Sequence, residues 1–131
     1  MAVYMAVDPG GHNGVAVNID GMYHTCTIMQ PKELWDLISQ FKPEKIAYET
    51  FSTGGLIDRN MNETIQLVGS IKGICHVLGI DSYPQPPQSR KAFLERAQAI
   101  LKNERNKTIH ERDALAHLLL LEHLLKIGHI K

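Results

Sequence analysis

The chain has 131 residues, 44% of them hydrophobic and 21% charged, which fits one globular domain over residues 1–131 and excludes a disordered or collagen-like chain. Its 14 Lys and Arg balance 14 Asp and Glu, so composition gives no overall basic excess of the kind nucleic-acid binders usually carry. Cys26 and Cys75 are far apart and form no CxxC pair, which excludes a disulfide framework and a thiolate zinc site. The apolar opening turns polar at Asp8, too soon for a secretory signal, and no window approaches the ~20 apolar residues of a membrane span. A cytoplasmic protein with two reduced thiols is expected.

In chain order, Val3 to Val7 is a short apolar strand stopped by the turn signal Asp8-Pro9-Gly10-Gly11. Val15 to Ile19 follows, then Asp20-Gly21, a pair suited to a two-residue type I′ hairpin, then Tyr23 to Met29. These three predict an antiparallel meander. The period then changes. Pro31 suits a first helical turn, Leu34, Leu37, Ile38 and Phe41 recur at helical spacing, and Pro43 ends the run. Lys45 to Glu49 reads as a fourth strand, followed by a loop through Gly54 and Gly55. A long helix should bury Ile65, Val68, Ile71, Cys75 and Leu78, with Gly69 and Gly73 four apart, allowing close approach of another element. Asp81 to Tyr83 predicts a short fifth strand before Pro84-Gln85-Pro86-Pro87. Helices over about 88–102 and 109–127 complete the chain. The four consecutive leucines Leu118 to Leu121 mark the last helix as core. Strands joined across helices pair in parallel, so the expected fold is α/β. Its five-stranded mixed sheet has three antiparallel strands, then two parallel ones, flanked by helices.

Three carboxylates fall at element ends. Asp8 closes the first strand and Glu49 the fourth; if those strands are neighbours, the two acids meet at one sheet edge. Carboxylates that close repel unless cations neutralise them, and oxygen-rich clusters suit Mg²⁺ or Mn²⁺. Thr108-Ile109-His110-Glu111 fits a capping box, which makes Thr108 the N-cap of the last helix. His110 and Asp113 then lie three apart on one face. His117 extends that spacing, and a zinc site of His110, Asp113 and His117 is an alternative. One local basic excess runs from Arg90 to Arg112.

Taken together these residues resemble a known family. Met5-Ala6-Val7-Asp8-Pro9-Gly10, followed by Gly14-Val15-Ala16-Val17, resembles the first strand of RuvC-type Holliday junction resolvases, within the RNase H-like nuclease superfamily. Ile46-Ala47-Tyr48-Glu49-Thr50-Phe51 is similar to their second acidic motif, and His110-Glu111-Arg112-Asp113-Ala114-Leu115-Ala116 to their C-terminal one. Leu67 to Gly73 resembles their glycine-bearing long helix, and Pro86 to Lys91 their Pro-x-x-x-Lys region.

The resemblance implies an RNase H-like fold and a metal-dependent crossover junction endodeoxyribonuclease of recombination and repair. A compact phage or mobile-element version is consistent with it, working in the host cytoplasm if phage-encoded. It implies two Mg²⁺ ions per site, replaceable by Mn²⁺, with Asp8 bridging, Glu49 on one ion, and His110 with Asp113 on the other. Paired symmetric nicks in a four-way junction would leave 5′-phosphate and 3′-hydroxyl ends. Lys91 and its neighbour Arg90 are the expected phosphate contacts, and Phe51 would stack on an unpaired base. Symmetric cleavage implies a homodimer through the Gly69/Gly73 helix. Two alternatives are a nuclease of this fold acting on flaps, single strands or RNA hybrids, and a non-catalytic nucleic-acid- or protein-binding module.

Overall fold

The computed structural model describes residues 2–9, 12–50, 59–104 and 106–131, with side chains in the long helix from residue 64 onward. Phe51, the Gly54/Gly55 loop and the Gly10-Gly11 turn lie outside the described residues. The elements run β1 (Val3–Asp8), β2 (Asn13–Ile19), β3 (Met22–Ile28), α1 (Pro31–Phe41), β4 (Lys45–Glu49), α2 (Arg59–Leu78) and β5 (Asp81–Gln85). A 3₁₀ stretch (Pro87–Phe93), α3 (Leu94–Leu101) and α4 (Ile109–Lys126) follow. Among the described residues no helix is long and apolar enough to cross a membrane.

The five strands form one mixed sheet in the order β3-β2-β1-β4-β5. β1, β2 and β3 pair antiparallel, while β4 runs parallel to both β1 and β5. The meander turns at Asp20 (φ 55°) and Gly21 (φ 82°), two positive φ values in succession as a type I′ turn requires. The α1 boundaries follow their capping chemistry. Gln30 and Glu33 form reciprocal N-terminal bonds, and Lys42 takes a left-handed φ of 50° before Pro43.

Strand alternation sorts the interior into two layers. Met5, Val7, Val15, Val17, Ile46 and Tyr48 face α1 and α2. The intervening residues Ala6, Ala16 and Ala47 face α3 and α4. Their small side chains let α4 lie close to the sheet. Leu115, Leu118, Leu119 and Leu121 of α4 are buried on that side, each contributing about 1.5–3 kcal/mol relative to exposure. The leucine run is core, as its composition predicts.

Three local readings change. The buried stripe of α2 is Leu67, Ile71 and Cys75, whereas Ile65 and Leu78 are 38% and 46% exposed. The i, i+4 row wins because α2 shares its face of the sheet with α1, which leaves only a narrow seam to fill. Cys26 is half-buried rather than core; both thiols are free. The helix expected over 88–102 breaks in two. Pro86 carbonyl oxygen accepts both the Ser89 backbone N–H (3.0 Å) and its hydroxyl (2.6 Å), which tightens the first turns to 3₁₀.

Gly14 shows how tightly α4 is seated. A Cβ there would collide with the backbone carbonyl of His110 in the first turn of α4. Gly14→Ala is therefore expected to destabilise the fold by about 2–4 kcal/mol, in the range of severe steric substitutions. Urea denaturation checks this; a midpoint matching wild type would mean that α4 has room to shift.

Candidate active site

Strand parity sets the site. Asp8, Glu49 and Gln85 continue the series Ala6, Ala47 and Tyr83 that faces α4. Val7 pairs with Tyr48 and Glu49 with Gln85, so the three polar residues form a row at the C-terminal ends of three neighbouring parallel strands. Above the row lies the first turn of α4, held by the predicted capping box: Thr108 Oγ1 accepts the Glu111 backbone N–H at 3.1 Å. The buried Glu111 carboxylate also accepts the Thr27 hydroxyl at 2.9 Å and lies 3.4 Å from Lys107 Nζ. Helix α4 is thereby pinned to β3 through the side chain that caps it.

His110 Nδ1 is 3.3 Å from Asp8 Oδ2. Asp113, buried, accepts Arg112 Nη2 at 2.9 Å and Nε at 3.1 Å. Arg90, from the 3₁₀ stretch, donates to Glu49 Oε1 and places its Nε 3.6 Å from Asp113 Oδ2. Below the row, the fully buried His117 has Nε2 3.1 Å from Glu49 Oε1 and Nδ1 2.6 Å from Gln85 Oε1.

The electrostatics follow from crowding. Burial, a hydrogen bond with Glu49 and the charges of Glu49 and Asp113 push the Asp8 carboxyl up to about 9, against the opposing pull of Arg90. Burial would raise Glu49 too, but hydrogen bonds from His117 and Asp8 and the charge of Arg90 outweigh it and hold Glu49 well below the usual carboxylate range. One proton shared along Asp8–Glu49 relieves the repulsion.

Asp8, Glu49, His110 and Asp113 thus converge in space. Arg90 does too, but it faces the carboxylates rather than solvent, a position that the Pro-x-x-x-Lys spacing could not specify. Lys91 is exposed on the same 3₁₀ stretch. Sequence reasoning did not bring Gln85 to the site, counted Arg112 only within the basic segment, and read His117 as a zinc ligand or a packed helix residue. Both ring nitrogens of His117 are committed to Glu49 and Gln85, so the zinc site fails. The signal for Gln85 was strand alternation through Pro84; for His117 it was its place one turn after Asp113.

Among the described residues no group of three or more His, Cys, Asp or Glu side chains is arranged around a common metal position. Arg90 spans two of the carboxylates that such a position would use. The donor types nevertheless suit a divalent cation: three carboxylates supply oxygen and one imidazole nitrogen.

The fold is RNase H-like. No protein-family model matches the sequence, and no curated protein does. Solved structures do. Thermus thermophilus RuvC in complex with a Holliday junction substrate matches at TM-score 0.77 and 18% identity, over 98% of this chain and 97% of that one. Fowlpox virus resolvase with substrate Holliday junction DNA matches at TM-score 0.64 and 12% identity, over 92% and 98%. YeaZ from Pseudomonas aeruginosa matches at TM-score 0.53 and 14% identity, over 76% of this chain and 49% of that one. The likeness to the two resolvases spans the whole architecture, and at these identities it establishes the fold.

The raised carboxyl of Asp8 makes a signed prediction. Folded Asp8 keeps its proton up to about 9, while the unfolded chain loses it near 3.8. Its stabilising contribution is therefore complete below the unfolded value and lost as pH rises through the folded one. Asp8→Asn escapes that loss. In denaturation of metal-free protein the variant should gain on wild type by on the order of 1–3 kcal/mol between about pH 5 and about pH 9. A difference that is flat with pH would show that the carboxylates do not repel.

Proposed function

We propose that this chain is a metal-dependent, structure-selective DNA endonuclease that resolves four-way junctions by paired symmetric nicks, acting as a homodimer of single nuclease domains. The observation that carries the reading is the row of Asp8 and Glu49 at parallel strand ends, capped by His110 and Asp113 from one helical turn. That arrangement belongs to an RNase H-like fold whose neighbours include two resolvases solved with junction DNA.

Asp8, Glu49 and Asp113 supply hard oxygen ligands and His110 a nitrogen. These residues would hold divalent ions, which when bound would supply water activation and stabilisation of a leaving 3′ oxygen, the chemistry that leaves 5′-phosphate and 3′-hydroxyl ends. Mg²⁺ suits the oxygens, and His110 makes Mn²⁺ an effective substitute. Arg90 would turn to a phosphate if bound cations took over the carboxylates, and Lys91 is already exposed beside it. Phe51, next to Thr50 in sequence, is the proposed stacking side chain.

A dimer is supported by α2. Among the described residues a Cβ at Gly69 or Gly73 meets nothing within 4 Å, which supports a stripe open to a second copy. Val77 and Leu78, 77% and 46% exposed, extend it with apolar surface.

The seat of Arg90 across Glu49 and Asp113 favours a second reading, in which an internally neutralised cluster makes this a binding module. One assay separates them. Wild type is incubated with four-way junction, flap, duplex, single-strand and RNA–DNA hybrid substrates, with Mg²⁺, Mn²⁺ or chelator. Symmetric nicks confined to the junction, abolished by chelator and by Asp8→Asn, are the expected result. Preferential cut flaps, single strands or hybrids would make it a related nuclease, and binding without cleavage the module.

Two further outcomes are expected. Lys91→Ala should weaken junction binding and lower the slope of log K against log salt by about one unit, the share of one phosphate contact. Sedimentation equilibrium should give a dimer that Gly73→Leu weakens; a wild-type monomer would remove the dimer from the proposal.

A further inference from the structure

We infer that His117 is a positioning residue for Glu49: a fully buried imidazole, locked by Gln85, whose Nε2–H aims the Glu49 carboxylate at the site. The inference rests on the proposed metal site and adds a residue that neither the acidic motifs nor the spacing on α4 assigns to it.

The geometry is specific. His117 is 0% exposed and lies one turn beyond Asp113 on α4. Its Nε2 is 3.1 Å from Glu49 Oε1. An ionised carboxylate only accepts, so the hydrogen of this bond sits on Nε2. On the other side the Gln85 side-chain amide lies 2.6 Å from Nδ1. A neutral ring with its hydrogen on Nε2 accepts at Nδ1, so the amide presents its N–H there, and the ring is held at both ends between β5 and β4.

A buried polar chain of this kind needs a reason beyond packing. Beyond Asp113, the neighbours of His117 on α4 are apolar: Ala114, Leu115, Ala116, Leu118, Leu119 and Leu121 are all buried. A leucine there would fill the same space but would leave the Gln85 amide without its His117 partner. What an apolar side chain cannot do is fix Glu49. Arg90 also holds Glu49 Oε1, but it comes from an exposed 3₁₀ stretch and must leave if a cation is to share that carboxylate. His117 is then the partner that stays. Groups that orient a metal ligand from behind typically contribute 10–100-fold to metal affinity.

The test is made on the full chain with Mn²⁺ alone, read by calorimetry, together with imidazole ¹⁵N spectra of the metal-free protein. His117→Leu should weaken Mn²⁺ binding about 10–100-fold in protein that thermal denaturation shows to be folded. His117→Gln, whose amide N–H can occupy the place of Nε2, should restore affinity to within about fivefold of wild type. The spectra should show hydrogen on His117 Nε2, with a resonance that shifts in Glu49→Gln. Wild-type protein that takes up no Mn²⁺ would overturn the metal site itself, and the spectra would still decide whether His117 donates to Glu49. A bare Nε2, or His117→Leu binding Mn²⁺ as tightly as wild type, would overturn the positioning role.

Discussion

Helix α4 packs on alanines, and that distance governs where its first turn meets the strand ends. Ala6, Ala16 and Ala47 present a shallow surface, and Gly14 removes the last obstacle beneath the His110 carbonyl. The depth of the leucine face then fixes the helix laterally, while the bonds of Glu111 to Thr27 and Thr108 fix its start. Larger side chains in the alanine row would lift the helix outward. His110 would then lose Asp8, and Asp113 would lose Arg90. The chemistry of the site is in this sense a property of what the sheet leaves out.

That closeness creates an electrostatic problem, and each acid meets it differently. Asp8 keeps a proton and faces His110. Glu49 stays ionised between Arg90 and His117. Asp113 is held by the guanidinium of its own chain neighbour, Arg112. A buried carboxylate without such a partner would cost several kcal/mol. The metal-free molecule is therefore self-consistent, with Arg90 turned to its own carboxylates rather than to the phosphate that the family resemblance implies for it. Ligand binding at this site has to begin as an exchange of partners.

Much of the architecture could be read from periodicity because the two layers use different residue sizes at strict alternation. The change from strand to helical period at Pro31, the Asp20-Gly21 turn and the Thr108/Glu111 cap each have a local cause, and each appears where local chemistry places it. The acidic residues of the site were legible for the same reason: they terminate elements. What could not be read depends on distance in space. Gln85 becomes a site residue only because β5 lies beside β4. Arg90 turns inward only because Ser89 and Pro86 tighten the stretch that carries it. The buried stripe of α2 was chosen by the presence of α1, which no pattern within α2 encodes.

The outer strand β5 has a consequence for how copies of this molecule can meet. The Gln85 carbonyl accepts the Thr50 N–H, so the backbone polar groups of Asp81, Tyr83 and Gln85 point inward to β4, and those of Ser82 and Pro84 point away. Proline has no N–H to offer. A strand arriving from another molecule would find a single outward donor on this margin, at Ser82, too little to template a continuous ladder. Sheet extension across that margin is discouraged by one ring.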